Sequence, residues 1–148
     1  MSLIQKVLFL ATGLTAALSI QAQPQEPPEF FKVLPYKQVF KDMVLARCLA
    51  QVSTADSAFS TDAGFSAYAL MQWIPLDIET GNEKVNALIL KYRDRQNGFS
   101  PEALAGRPIK GVTLNCLRLY HSQALEQLSK EVLIGDSSQS WMQDNPSW

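Results

Sequence analysis

The stretch Tyr36–Ser53, YKQVFKDMVLARCLAQVS, decides the fold class. Phe40, Val44, Cys48 and Val52 recur every four residues, and Val39, Met43, Leu45 and Leu49 widen that row into an apolar face. Lys41, Asp42 and Arg47 occupy the rest of the circumference. The segment therefore reads as an amphipathic helix with one face on a core.

Downstream, the same period returns between punctuation signals. Ser53, Thr54 and Asp56 supply turn chemistry, and Ser60, Thr61 and Asp62 offer an N-cap before Phe65, Tyr68, Ala69 and Trp73, which predicts a second helix over about Asp62–Trp73. A third starts either at Pro75, whose missing N–H is harmless in a first turn, or at the capping-box pattern Thr80-Gly81-Asn82-Glu83. Its body is Val85, Leu88, Ile89 and Tyr92. Thr113 can cap a fourth helix holding Leu114, Cys116, Leu117, Leu119 and Tyr120. After a kink at His121-Ser122, Ser122 caps a fifth with Leu125, Leu128 and Val132 on one face. No stretch of four or more residues alternates as a half-buried strand does. The expected fold is all-α, a compact bundle of about five helices over residues 36–134.

Two segments break the period. RQNGFSPEALAGRPIKG, Arg95–Gly111, holds three glycines and two prolines and reads as a loop, either projecting to bind or carrying a short helical turn at Pro101–Leu104. GDSSQSWMQDNPSW, Gly135–Trp148, is polar and places Trp141 and Trp148 outside any amphipathic pattern, so a mostly disordered tail is expected.

The N-terminus sets the compartment. Met1–Lys6 carries one positive charge, Val7–Ile20 is apolar, and Ala22 is a small residue suited to cleavage before Gln23, the pattern of a secretory signal peptide. An apolar run of 14 residues is short of the roughly 20 that span a bilayer. Without a cysteine at the cleavage site, lipid attachment there is excluded. Residues 23–35, with Pro24, Pro27, Pro28 and Pro35, form an extended arm. The remaining 126 of 148 residues hold 12 Lys and Arg against 14 Asp and Glu. So weak an acidic balance, without a basic run, argues against nucleic acid and anionic membrane as partners.

The chemistry-bearing residues are few. Cys48 and Cys116, the only cysteines, favour a disulfide in an exported chain. The competing reading is a cysteine hydrolase, with Cys116 near a helix start as nucleophile and His121, the only histidine, as base. A histidine at a helix end more simply meets the terminal carbonyls. Metal-ligand spacings and phosphate-loop spacings are missing, so no metal or cofactor is expected. Asp77 with Glu79, and Glu126 with Glu131, read as solvated helix charges rather than an acid–base pair. By elimination the chain works by binding. A periplasmic adaptor is a further reading, but it needs a broad apolar surface, and Tyr68, Trp73 and Tyr92 are expected in the core.

FKDMVLARCLAQVS (Phe40–Ser53), SAYALMQW ending at Trp73, the Pro75 helix closing on LILKYRDR (Leu88–Arg95) and TLNCLRLYHSQALEQLSK (Thr113–Lys130), in that order, resemble the periplasmic immunity proteins of type VI secretion amidase effectors, in particular the family that neutralises the fourth class of these effectors. The resemblance covers about residues 36–131. It implies a helical protein, commonly a homodimer, that inhibits a papain-like cysteine amidase of peptidoglycan by pushing a loop into its catalytic groove. On this chain it carries the disulfide to Cys48 and Cys116 and the groove-blocking loop to Arg95–Gly111, with Asn97, Phe99, Ser100 and Glu102 as candidate contacts. Asp77, Glu79 and Glu83 are candidates for a second contact surface.

Overall fold

The computed structural model describes residues 29–52, 57–97 and 111–147. They form α1 (Tyr36–Leu49), α2 (Ala58–Met71), α3 (Gly81–Arg93), α4 (Val112–Tyr120), α5 (Gln123–Val132) and a one-turn α6 (Trp141–Asp144), preceded by a 3-10 turn at Phe30–Lys32. The expected all-α class is borne out: among the described residues the only extended pairing is two isolated bridges, Pro35 with Ser140 and Leu76 with Leu133. No helix among them is long and apolar enough to cross a membrane. The signal peptide and the first part of the arm lie outside the described residues.

Helix α1 is the axis of the bundle because its apolar row is wide enough to meet several neighbours. Val39, Phe40, Met43, Val44 and Cys48 are buried, against Val85 and Ile89 of α3, Cys116 and Leu119 of α4, and Leu125, Leu128 and Val132 of α5. The Cys48–Cys116 disulfide ties α1 to α4 inside this core, with Cα atoms 5.7 Å apart. Both cysteines are completely buried.

Helix boundaries follow local chemistry. Ser122 caps α5 as expected, its hydroxyl oxygen accepting from the Leu125 N–H at 3.1 Å. Helix α2 starts four residues before the expected Asp62, because Ser57 Oγ accepts from the Ser60 N–H at 3.0 Å. Helix α3 starts at the later of its two candidate positions, yet Thr80 makes no side-chain cap bond. Space is tight at that start, because a Cβ at Gly81 would lie 3.1 Å from Leu76 Cδ1 and 3.3 Å from Val132 Cβ. Helix α4 begins at Val112 rather than after Thr113, entered from Gly111 at φ 67°, a left-handed conformation suited to glycine.

Helix α2 turns the opposite face inward from the one its aromatics suggest. Ser60, Ala63 and Ala67 are buried, whereas Phe65 is 70% and Tyr68 59% exposed. Small residues let α2 lie close along α1, and that fit outweighs burial of the aromatic row. Tyr68 is therefore not core, while Trp73 and Tyr92 are half-buried.

The segment after Gly135 is a second correction, since residues 136–147 fold onto the bundle. Helix α1 follows Pro35 and has no side-chain cap, leaving its first N–H groups without partners. The tail supplies them: the Tyr36 N–H donates to Gln139 O at 2.7 Å and the Lys37 N–H to Ser137 O at 3.0 Å. Asp136 orders the turn by accepting from the Ser138 amide, and Ser140 with Gln143 forms a reciprocal capping box on α6. Trp141 then packs edge-on against Trp73 with centroids 5.2 Å apart, and Trp73 meets Phe31 of the arm at 5.4 Å. Lys32 lies over both indoles, 4.3 Å from Trp73 and 4.8 Å from Trp141, and pairs with Glu29 at 2.6 Å. Arm and tail are one clasp. Trp148 lies outside the described residues.

Candidate partner-binding site

The base of the Arg95–Gly111 loop is organised by a residue that sequence patterning passes over. Asn115 sits one position before the disulfide cysteine on α4 and is completely buried. Its Nδ2 donates to the carbonyls of Arg93 and Arg95, each at 3.0 Å, and so satisfies the open carbonyl end of α3. Its Oδ1 accepts from Asn97 Nδ2 at 3.1 Å and from Arg118 Nη1 at 3.2 Å. Asn97 also donates to Gly111 O at 3.5 Å, and its own Oδ1 accepts from Arg118. The departing segment, the returning segment at Gly111 and the disulfide-anchored helix thus share one polar node. A low-dielectric setting strengthens such a network and makes each broken bond expensive.

Of the candidate loop contacts, Asn97 lies in this node, with its amide turned to the loop base. Phe99, Ser100, Glu102 and the possible turn at Pro101–Leu104 lie outside the described residues. A helical pattern shows Asn115 only as a polar break in an apolar face, and that break is the signal that marks it.

The second candidate surface is split by role. Asp77 Oδ1 accepts from the Glu79 and Thr80 amides at 3.0 and 3.3 Å, and Oδ2 accepts from the Thr80 hydroxyl at 2.6 Å. Those bonds, led by the Thr80 hydroxyl, hold its carboxyl below the usual carboxylate range and shape the turn into α3. Glu79 and Glu83 are exposed beside it, Glu83 in the positive first turn of α3.

The Cys116–His121 nucleophile–base pair is not assembled here. Cys116 is oxidised and buried, and no free cysteine exists among the described residues. His121 is an exposed C-cap residue, edge-on to Tyr120 at 5.0 Å. Glu126 meets Lys41 at 2.5 Å and Glu131 meets Lys84 at 3.6 Å, so these acids are surface ion pairs of different helices. Among the described residues, no three of His, Cys, Asp or Glu converge as metal ligands would.

Comparison with known proteins supplies the identity that this geometry leaves open. The family model for type VI secretion system amidase immunity proteins, Tai4, matches residues 38–129. A solved chain from Serratia marcescens, from work on new type VI-secreted toxins and self-resistance proteins, is 48% identical over 87% of this chain and 99% of its own, with a TM-score of 0.74. A chain of the complex between the effector Tae4 from Salmonella typhimurium and the immunity protein Tai4 from Enterobacter cloacae is 25% identical, covers 70% of this chain and 98% of its own, and has a TM-score of 0.54. A chain of the Salmonella typhimurium Tae4/Tai4 effector–immunity system, 22% identical over 64% of this chain and 86% of its own, shares the fold with a TM-score of 0.51. Among curated proteins nothing matches the chain. A continuous match from α1 into α5, and a near-half-identical relative aligned almost end to end, establish that this chain belongs to the type VI secretion system amidase immunity protein family.

Proposed function

We propose that the protein is a periplasmic antidote that binds a type VI secretion amidase effector of the Tae4 kind and protects the cell that makes it. It is exported by the signal peptide, cleaved after Ala22, and acts without catalysis of its own, as a homodimer. The amidase is a papain-like cysteine enzyme that cuts peptidoglycan peptide stems. The Arg95–Gly111 loop enters its groove, with Phe99, Ser100 and Glu102 in contact and Asn97 positioning the loop from its base. Asp77, Glu79 and Glu83 form the second contact surface, in which Glu79 and Glu83 meet the partner and Asp77 keeps the turn in shape.

The observation that carries this reading, beyond family membership, is the Asn115 node. It fixes both ends of a 17-residue loop to a disulfide-anchored helix. A loop held in this way loses less conformational freedom on entering a concave site than a free strand does. The reading is tested by titrating the purified mature protein into an amidase effector of the Tae4 kind from the same organism and following peptidoglycan hydrolysis. Stoichiometric loss of hydrolysis is expected; unchanged hydrolysis at saturating protein refutes the reading.

A further inference from the structure

The side of α1 that faces α2 and the start of α3 carries a charge without an opposite. Arg47 is half-buried in a pocket of about 290 Å³ that it lines with Met43, Gly64, Ala67, Tyr68, Met71 and Asn82. Its Nη1 donates to Asn82 Oδ1 at 3.0 Å, a neutral acceptor. Among the described residues no carboxylate lies within ion-pair distance of it. Burial draws its pKa down, and no neighbouring acid offsets that effect. A guanidinium has five N–H donors in a fixed fork that matches a carboxylate, and a sequestered charge is tolerated best when such a partner arrives.

The pocket is open on the α2 side. A Cβ added at Gly64 would meet nothing within 4 Å, and the exposed Tyr68 lines the opening. An aromatic side chain beside an arginine is the composition of an energetically dominant contact between proteins. We propose that the Arg47 pocket is a further docking point for the amidase effector, separate from the loop and from the Asp77–Glu83 surface, taking an Asp or Glu side chain that the enzyme presents among apolar residues; this rests on the immunity reading above. A second copy of this chain is a poorer occupant. Asp62, the one acid on α2, lies about 160° around the helix from Gly64, so pairing across this face brings aromatics, not a carboxylate, to Arg47. A free carboxylate metabolite is poorer too, because the volume is at the small end of ligand cavities and the aromatic rim calls for a broad apolar surface.

Three forms of the full mature chain test this against the effector by calorimetric titration, with thermal unfolding as the folding control. Arg47→Met keeps the stem packing and removes the charge, and weakens binding by at least ~30-fold. Gly64→Leu fills the pocket from a helical position with room for it, and weakens binding by about 10-fold or more without lowering the melting temperature. An acid-to-amide scan of the effector finds one position whose loss weakens wild type but has no further effect on Arg47→Met. Both variants binding within about twofold of wild type, or changing self-association alone, overturn the proposal. Failure of the wild-type chain itself to bind overturns the immunity reading and this inference with it.

Discussion

Replacing Asn115 by leucine keeps the volume of the side chain and removes all of its polar atoms. The Arg93 and Arg95 carbonyls lose donors at 3.0 Å, and the Asn97 amide loses its acceptor at 3.1 Å, around a side chain with no solvent exposure. An orphaned buried group costs about 1–3 kcal/mol, and the two carbonyls lie where α3 ends and water can return to part of the site. The sum expected is therefore about 2–4 kcal/mol, which in a domain of this size lowers the melting temperature by roughly 8–16 °C. Two assays separate the node from a generic core defect. Hydrogen exchange quickens at the Gly111–Asn115 junction, where the Asn115 N–H donates to Gly111 O at 3.1 Å, while core amides of α1 keep their relative protection. Inhibition of the amidase also weakens in protein that is still folded at the assay temperature, because the loop loses its base. A melting temperature within about 2 °C of wild type, with unchanged exchange at that junction, refutes the reasoning.

Replacing Cys48 and Cys116 together by alanine opens a loop spanning 68 positions and costs roughly 4 kcal/mol by the loop-entropy relation, read as a shift in denaturant midpoint. Tyr36 has its pKa pushed up to about 12, first by burial and then by its hydrogen bond to Asp144 at 2.9 Å. Its folded value exceeds the ordinary phenol value near 10, so its contribution to stability is complete below pH ~10 and is lost as pH rises through about 12. Phenolate absorbance should place that transition near 12, and Asp144→Asn should move it down. Trp141→Ala releases the tail at a cost of roughly 2 kcal/mol, below the ~3–5 kcal/mol of a fully buried tryptophan, and exposes the Tyr36 and Lys37 amides to exchange. Unchanged exchange at those two amides would show that the tail does not cap α1.

Much of this protein is written in local pattern. The four-residue row through Phe40, Val44 and Cys48 needs no partner to be read, and Ser122 caps α5 with its own hydroxyl. The pair Cys48 and Cys116 has only one way to join within a chain, so its disulfide follows once the compartment is oxidising. The family resemblance rests on the same rows.

Local pattern fails where long-range fit sets the outcome. Phe65 and Tyr68 have helical spacing, but a periodic row names a face without saying which neighbour it meets, and α1 accepts the smaller Ser60, Ala63 and Ala67 face instead. The tail shows no period because four residues of helix cannot display one; its order comes from carbonyls that α1 needs roughly 100 positions away. The same holds for Asn115, an unremarked polar residue until folding brings the ends of α3 and the loop to its amide. Arg47 reads in the sequence as solvent-side charge, and only tertiary packing places it in a pocket with no acid among its described lining. The sequence by itself determined the helical class, the Ser122 cap and the covalent staple, since each depends on neighbours within a turn or on composition. Which faces close, which ends are satisfied and which charge is left waiting for a partner were decided by tertiary structure, because burial and hydrogen-bond completion are properties of the whole packed chain.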